Sequence, residues 1–283
     1  MALRSHPTAR QLRLGAELRK LREAAGMTAR DAAALLGVNA SQMTHIESGL
    51  SGVSEVRLRR LAAHYACTDE ILIGALTAMA TDRTRGWWEE YRGVLPPVFL
   101  DVAELEHHAT YRHDVELLHV PGLLQTSDYA QAVFSYTRPE FPVDELETLV
   151  QHRMRRRTIL EGEHPVEYEA IIHESALRIR VSRRKAFRAQ LEQILSLSEA
   201  SHVTVRVIPF ALDDFAGASC AMMHVGGPIT RLGTVLRDAP HGTAFIDSEA
   251  QLDHFRTLFR KVKGSSLEPD QSRHFIHQLT KEL

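Results

Sequence analysis

The sequence lacks the features of secreted, cysteine-zinc and membrane-spanning proteins. Its 283 residues include only two cysteines, Cys67 and Cys220, without a CxxC pair, which indicates neither a disulfide framework nor a cysteine-bound zinc. The longest near-apolar stretch, Ile71 to Ala80, is about half of the roughly 20 residues that a membrane span requires. The N-terminus has no apolar signal core. We therefore expect a cytoplasmic protein with no membrane partner.

A strong net charge is also missing. The formal charge is -2, so the chain as a whole is not a basic nucleic-acid coat. The charge is unevenly distributed, because residues 1–80 carry ten Lys and Arg against seven Asp and Glu, whereas the remainder carries 24 against 29. The positive excess of the N-terminal part has the sign needed to meet DNA. The length is sufficient for two globular domains.

Residues 14–76 predict a five-helix DNA-binding domain with a helix-turn-helix at its centre, residues 27–49. The first motif helix opens at Thr28, a good N-cap because its hydroxyl can accept from a free backbone N–H. It ends at Gly37, which tolerates the left-handed conformation of a sharp turn. The inward apolar positions of this helix and of the flanking helices follow helical spacing: Ala32, Leu35 and Leu36; Leu14, Leu18 and Leu21; Val56, Leu58 and Leu61.

The second motif helix is capped by Asn39 and directs Met43 and Ile46 inward. Its outward residues are small or polar, which suits them to approach base edges in the major groove. A plain helical bundle would need the apolar anchors but not this polar set. The predicted base-contacting residues are Asn39, Ala40, Ser41, Gln42, Thr44 and His45.

The segments Gly37-Val38 and Ile46-Glu47-Ser48-Gly49 resemble the XRE family of bacterial repressors. Two positions depart from the family pattern: Ala29 stands where a phosphate-binding Gln is frequent, and the loop after the second helix is not basic. Phosphate anchoring is therefore expected from other residues, including the N-terminal arm with Arg4 and Arg10. The predicted phosphate contacts of the domain itself are Thr28, Arg30, Arg57 and Arg60.

The pattern changes after a polar linker at residues 81–86. Alternating apolar residues predict half-buried strands at 166–172 and 203–207, with further strands at 221–225 and 234–237. Amphipathic helices are predicted around 146–157, 187–194, 252–262 and 268–283. The fold class is therefore multidomain, with an all-α five-helix helix-turn-helix head at 1–80 and a larger mixed α/β (α+β) domain at 87–283.

Several segments of the second domain resemble the C-terminal domain of WhiJ-like actinobacterial regulators: Trp87-Trp88, PGLLQT at 121–126 followed by Tyr129-Ala130, Glu174 with Ala176-Leu177-Arg178, and Val207 to Phe210. The resemblance implies control by a small protein encoded nearby, in an antitoxin-like arrangement. A basic run is the candidate contact, although such runs are also typical of solvated helix faces or internal ion pairs. Its candidate residues are Arg153, Arg155 and Arg156.

The PGLLQT segment has two interpretations. Pro121-Gly122 sets a bend, and Leu123-Leu124 most simply fill the core. The alternative is that Gln125 and Thr126 line the mouth of a pocket.

No complete catalytic set is present. His173-Glu174 resembles the start of a zinc-protease helix, but the second histidine is replaced by Leu177. The turn at 217–221 ends in alanine where a nucleophile elbow needs glycine. Glu104 and His108 share a helix face, which a solvated surface explains as well as a metal does. We therefore predict no catalytic residue, no metal and no cofactor.

Together these patterns predict a bacterial transcription regulator, a repressor that binds double-stranded operator DNA as a homodimer. One recognition helix contacts only a few base pairs, so specificity requires two heads on half-sites about 10 bp, or a multiple of that, apart. The alternatives are a small-molecule-responsive repressor and an enzyme with a DNA-targeting head.

Overall fold

The structure, a computed structural model, describes residues 6–139, 141–213, 215, 217, 220–239 and 242–283. The chain divides into two compact units, residues 1–89 and residues 90–283. Two residues considered above, Arg4 of the N-terminal arm and Ser219 of the glycine-containing turn, lie outside the described residues.

The first unit is helical. Its helices are α1 (Ala9–Ala24), α2 (Ala29–Leu36), α3 (Ala40–Glu47), α4 (Glu55–His64) and α5 (Glu70–Thr81). Each helix contributes fully buried side chains to one core, among them Leu18, Ala32, Met43, Leu58 and Leu76. The predicted five-helix head is confirmed.

One inward position of the first unit was predicted wrongly. Val56 is 78% exposed, because Leu58 and Leu61 already fill the inner face of α4. Leu35 of α2 and Leu21 of α1 are half-buried, and Ala33 is buried in addition to the predicted Ala32 and Leu36.

The second unit has seven helices and six strands in its described residues. The helices are α6 (Pro97–His107), α7 (Ser127–Thr137), α8 (Val143–Arg155), α9 (Glu174–Arg178), α10 (Arg184–Leu197), α11 (Glu249–Gly264) and α12 (Pro269–Glu282). The strands are β1 (Tyr111–Glu116), β2 (Glu167–His173), β3 (Val203–Ile208), β4 (Met222–Gly226), β5 (Thr234–Ala239) and β6 (Gly242–Ile246). Short 3-10 segments lie at Trp87–Tyr91, Gly122–Leu124, Arg156–Leu160 and Thr230–Leu232.

The strands form one mixed sheet in the order β3-β2-β1-β4-β5-β6. β1, β2 and β3 are parallel, whereas β4, β5 and β6 pair antiparallel. The parallel strands need long crossover connections, and these carry α7, α8, α9 and α10. The second unit is therefore a mixed domain with helices and a six-stranded sheet, as the sequence predicts.

The two faces of the sheet have separate cores. On one face, Tyr168, Ala170 and Ile172 of β2 pack in a cluster with Phe187 of α10 and Ile276 of α12. On the other face, the cluster joins Val115, Ile171 and Val235 to α11. Leu123 and Leu124 belong to the first cluster, so the apolar part of PGLLQT fills the core.

Strand β1 was not predicted, because its buried positions are charged. Arg112 and Asp114 are 3% and 1% exposed and are joined by paired hydrogen bonds. Arg112 also pairs with Glu106 of α6, which is fully buried and accepts from Arg156 at 2.8 Å. Two guanidinium groups thus face two carboxylates, and this balance is what allows a charged strand to lie inside the domain.

Candidate nucleic-acid interface

Helix α2 begins with a closed hydrogen-bonded box. The Thr28 hydroxyl accepts from the backbone N–H of Asp31 and donates to the Asp31 carboxylate at 2.6 Å. These bonds hold the pKa of Asp31 below its usual value. Gly37 ends the helix with a φ of 65°, the left-handed conformation that the turn requires. Because the hydroxyl is committed and a carboxylate lies at the helix start, Thr28 acts as a cap, and its phosphate contact stays a prediction.

The recognition helix α3 begins with the same device. The Asn39 side chain accepts from the Gln42 N–H at 2.8 Å, and the Gln42 side-chain oxygen accepts from the Asn39 N–H at 3.1 Å. Both side chains therefore fix the first turn of the helix. The side-chain amide nitrogens of Asn39 and Gln42 take no part in these hydrogen bonds, so each can still donate to a base or a phosphate.

The outer face of α3 is accessible. Ala40, Ser41, Gln42 and Thr44 are exposed, and His45 is half-buried, whereas Met43 and Ile46 lie in the core. The Thr44 hydroxyl donates to the Ala40 carbonyl at 3.1 Å, which leaves its methyl group and oxygen for contacts. The structure thus brings the predicted base-contacting residues together on one capped helix of eight residues.

An ion pair holds the end of α3 to α1. Arg22 donates to both carboxylate oxygens of Glu47, at 2.6 and 2.9 Å, and to the Met27 carbonyl at 2.7 Å. A bidentate pair fixes direction as well as distance, and both side chains are nearly buried. Glu47 belongs to the helix-turn-helix segment, and its carboxylate serves this clamp. In the sequence, Glu47 stands out only as part of the segment that resembles the XRE family. Nothing in the sequence indicates that Arg22 is its partner.

The same contact depends on Gly15 of α1. A Cβ atom at this position would lie 2.4 Å from the Glu47 carbonyl oxygen and 2.9 Å from that of Ile46. Only glycine permits α1 to approach the end of α3 this closely.

The predicted phosphate-binding arginines lie on the surface. Arg30, Arg57 and Arg60 are exposed, and within the described part of the chain no ion pair engages them. Arg10, by contrast, forms an ion pair with Asp82, in which the Arg10 Nη1 lies 3.7 Å from the Asp82 Oδ2. The three exposed guanidinium groups are thus free to meet phosphates.

The predicted contact residues of the second unit have other surroundings. Arg156 is 6% exposed and paired with Glu106, and Gln125 is 2% exposed, so neither offers an accessible surface to a partner protein. These two predictions are wrong because both side chains satisfy buried polar groups of the domain. Thr126, the N-cap of α7, is half-buried, as are Arg153 and Arg155, and Arg155 pairs with Glu90 in an exposed salt bridge.

The residues considered for catalysis have structural contacts. The His173 Nδ1 accepts from the Ser175 N–H at the start of α9, and Glu174 accepts from the Phe210 N–H and pairs with Arg178. Among the described residues, no group of three or more His, Cys, Asp or Glu side chains is placed to hold a metal ion. None of the described helices combines the length and apolar character that a membrane crossing needs.

Comparison with known families agrees with the division of the chain into two units. Residues 13–72 match the model of a helix-turn-helix domain, which supports an XRE-like, DNA-binding head. Residues 99–278 match the model of a domain of unknown function, DUF5753. No curated protein and no solved structure matches the chain. Because the second model covers more than half of its length, the chain belongs to the DUF5753 family and carries a helix-turn-helix domain ahead of that region.

Proposed function

We propose that this protein is a cytoplasmic, sequence-specific transcription regulator of the XRE type that represses its target genes. The observation that carries the proposal is α3: a helix capped at its start, clamped at its end by Arg22 and Glu47, and polar on its exposed face. A helix held in this way presents its side chains to the major groove with little loss of backbone conformational entropy on binding.

The protein acts as a homodimer that places two α3 helices on half-sites about 10 bp apart or at a multiple of that spacing. The second unit dimerises and receives the signal, and no enzymatic step is involved. Its resemblance to WhiJ-like regulators supports control by a small protein encoded nearby. Gln125 and Arg156 are buried, and of the three half-buried residues that remain, Arg155 is the preferred candidate contact because its ion pair with Glu90 is exposed.

Base reading is tested with the full chain. Its preferred site is first selected from random duplex DNA, and the variant Ser41→Ala with Gln42→Ala is then compared with the wild type. Each lost base contact should weaken specific binding by about 1–3 kcal/mol. Thr68→Ala, an exposed substitution outside α3, is the matched control and should bind as the wild type does. Unchanged operator affinity in the double variant would refute the assignment of α3.

The partner is tested separately. Charge reversal at Arg155 should weaken capture of the adjacent gene's product and leave operator binding intact. Loss of DNA binding by a folded Arg155→Glu protein would place this arginine at the DNA instead.

A further inference from the structure

The segment from the end of α9 to the second turn of α10 carries a dense run of positive charge. Residues 178–188 contain six Lys and Arg and no Asp or Glu. The chain beyond residue 80 holds 24 Lys and Arg against 29 Asp and Glu, so this run is a local exception to an acidic background. Solvated protein surfaces usually mix both signs of charge. Here all six cations are exposed: Arg178, Arg180, Arg183, Arg184, Lys185 and Arg188.

Contacts with α12 draw the run together. The Arg178 Nη1 lies 3.0 Å from the Glu282 Oε2, and the Arg184 Nη2 donates to the Glu282 backbone carbonyl at 3.0 Å. The two side chains therefore converge on one residue. Arg180 and Arg183 lie in the short connection 179–183 that joins the two helices. The cations thus form one compact patch.

Two of the six cations have carboxylate partners. Arg178 pairs with Glu174 and Glu282, and the Arg188 Nε lies 3.5 Å from the Glu192 Oε1. The other four form no ion pair with any residue that the structure describes. We call these four residues the basic surface: Arg180, Arg183, Arg184 and Lys185.

The charge of the basic surface works against the start of α10. The free N–H groups at a helix start carry partial positive charge, so cations are unfavourable there and carboxylates are favourable. Arg183 is the N-cap of α10, yet its side chain makes no capping hydrogen bond, and the first turn contains no acidic residue. Because these exposed side chains neither cap the helix nor fill the core, their charge is available to an anionic partner.

We propose that the basic surface binds the phosphate backbone of the duplex DNA that flanks the operator. A compact group of cations matches the regular row of phosphates, and such contacts do not depend on base sequence. Single-stranded nucleic acid fits less well, because its binding uses exposed aromatic rings, and the aromatic residue of the run, Phe187, is 1% exposed. This inference rests on the proposed function. Once α3 holds the operator, the tethered second unit meets DNA at high effective concentration, so weak phosphate contacts add to the affinity.

The test compares two variants of the full chain that lose the same charge. The first is Arg180→Ala with Arg183→Ala and Lys185→Ala. The control removes two arginines and one lysine from exposed positions outside the basic surface: Arg188→Ala, Arg260→Ala and Lys261→Ala. Affinity is measured over a range of salt concentrations on the duplex site that the wild type selects, with flanks of about 20 bp, two helical turns, on each side. A scrambled duplex and a single strand of the same length are measured alongside.

The first variant should bind both duplexes at least about tenfold more weakly than the control at low salt. Its slope of log affinity against log salt should be lower by about 3, since three phosphate contacts are lost. The ratio of the two duplex affinities should stay that of the wild type, because phosphate contacts carry no sequence information. Equal affinities and slopes for the two variants would overturn the proposal, as would a larger loss on the single strand than on the duplexes.

The first variant should unfold at the same temperature as the control or higher, because the helix start loses unfavourable charges. If it does not fold, Lys185→Ala alone is compared with Lys261→Ala, and the expected difference in slope is about 1. Equal slopes for these two single variants would then overturn the proposal.

Failure of this inference is distinguishable from failure of the proposed function. A wild-type protein that prefers no duplex sequence would refute the proposed function, and the binding of operator flanks with it. If the wild type selects a site and Ser41→Ala with Gln42→Ala loses that preference, the proposed function holds. The salt slopes of the two charge variants then decide on the basic surface alone.

Discussion

The two units of this protein use arginine in different ways. In the first unit, Arg30, Arg57 and Arg60 lie exposed and unpaired among the described residues, whereas Arg13 and Arg22 are nearly buried in ion pairs with Glu17 and Glu47. In the second unit, Arg112 and Arg156 lie inside the domain, and Arg153 is half-buried and donates to Gln125. The difference teaches that arginines of one sequence divide by surroundings: the exposed set of the first unit is accessible to phosphates, whereas the buried arginines of both units are balanced by carboxylates inside the protein.

The largest effect is expected where the buried charges of the second unit are broken. Although burial alone would raise the pKa of Glu106, Arg156 and Arg112 hold it below its usual value. Glu106→Ala leaves the buried Arg156 without its carboxylate and Arg112 with Asp114 alone, which should lower the free energy of unfolding by about 3–5 kcal/mol. Chemical denaturation measures this loss. Glu147→Ala, exposed on α8, is the control, and equal stabilities of the two variants would contradict an interior built on charge.

A smaller effect is expected at the clamp of the first unit. Glu47→Ala removes two charged hydrogen bonds from Arg22, which should cost about 1.5–3 kcal/mol of stability. It should also weaken operator binding, because the end of α3 is no longer held. Glu55→Ala breaks an exposed pair with Arg59 and should cost less than about 1 kcal/mol. A variant at position 47 that unfolds easily but binds DNA normally would show that the clamp serves stability alone.

A third prediction concerns pH and the second unit. In the folded protein the pKa of Glu116 is raised from its ordinary value near 4.5 to about 8. Between these two pH values the folded chain keeps a proton on this group that the unfolded chain has lost. Its contribution to stability is therefore present in acid and decreases as the pH rises from about 4.5 to about 8. Glu116→Gln removes this dependence and should stabilise the protein at pH 8 by up to about 4 kcal/mol, with little change at pH 4.5. The difference between the two unfolding curves isolates this group from the histidines, and a difference that does not vary with pH would contradict the buried carboxyl.

The smallest effect on stability is expected at the exposed arginines. Arg57→Ala should change the unfolding free energy by less than about 0.5 kcal/mol. It should also lower the slope of log affinity against log salt by about 1, because one phosphate contact is lost. Arg188→Ala in the second unit is the control. If both variants keep the wild-type slope, Arg57 does not contact phosphate, and the contrast between the units loses this support.

The sequence predicts best where structure is local. Thr28, Gly37 and Asn39 cap or end their helices through neighbours within three or four residues, and a reader of the sequence can place them. Arg22 and Glu47 are 25 residues apart, so no local pattern joins them. The outward face of α3 was predictable, because the apolar residues of this helix must face the core and the polar residues are then left facing out.

The interior of the second unit was harder for a physical reason. Strand assignment relies on apolar residues at alternate positions, and β1 places Arg112 and Asp114 there. The basic run was expected either at a surface, where isolated charges avoid low-dielectric surroundings, or in internal ion pairs, and no local pattern decides between the two. Its burial depends on Glu106, which lies 50 residues from Arg156 and only acquires this role in the folded chain.

The contact of Gly15 with the end of α3 has a consequence for variation among related regulators. A single added methyl group would have to displace the Glu47 carbonyl, and with it the axis of the helix that meets the DNA. A related chain with any larger residue at this position must therefore set its recognition helix at another angle to α1. Two such chains could keep identical outward side chains and still prefer different operators, because the side chains would reach the base edges from different directions.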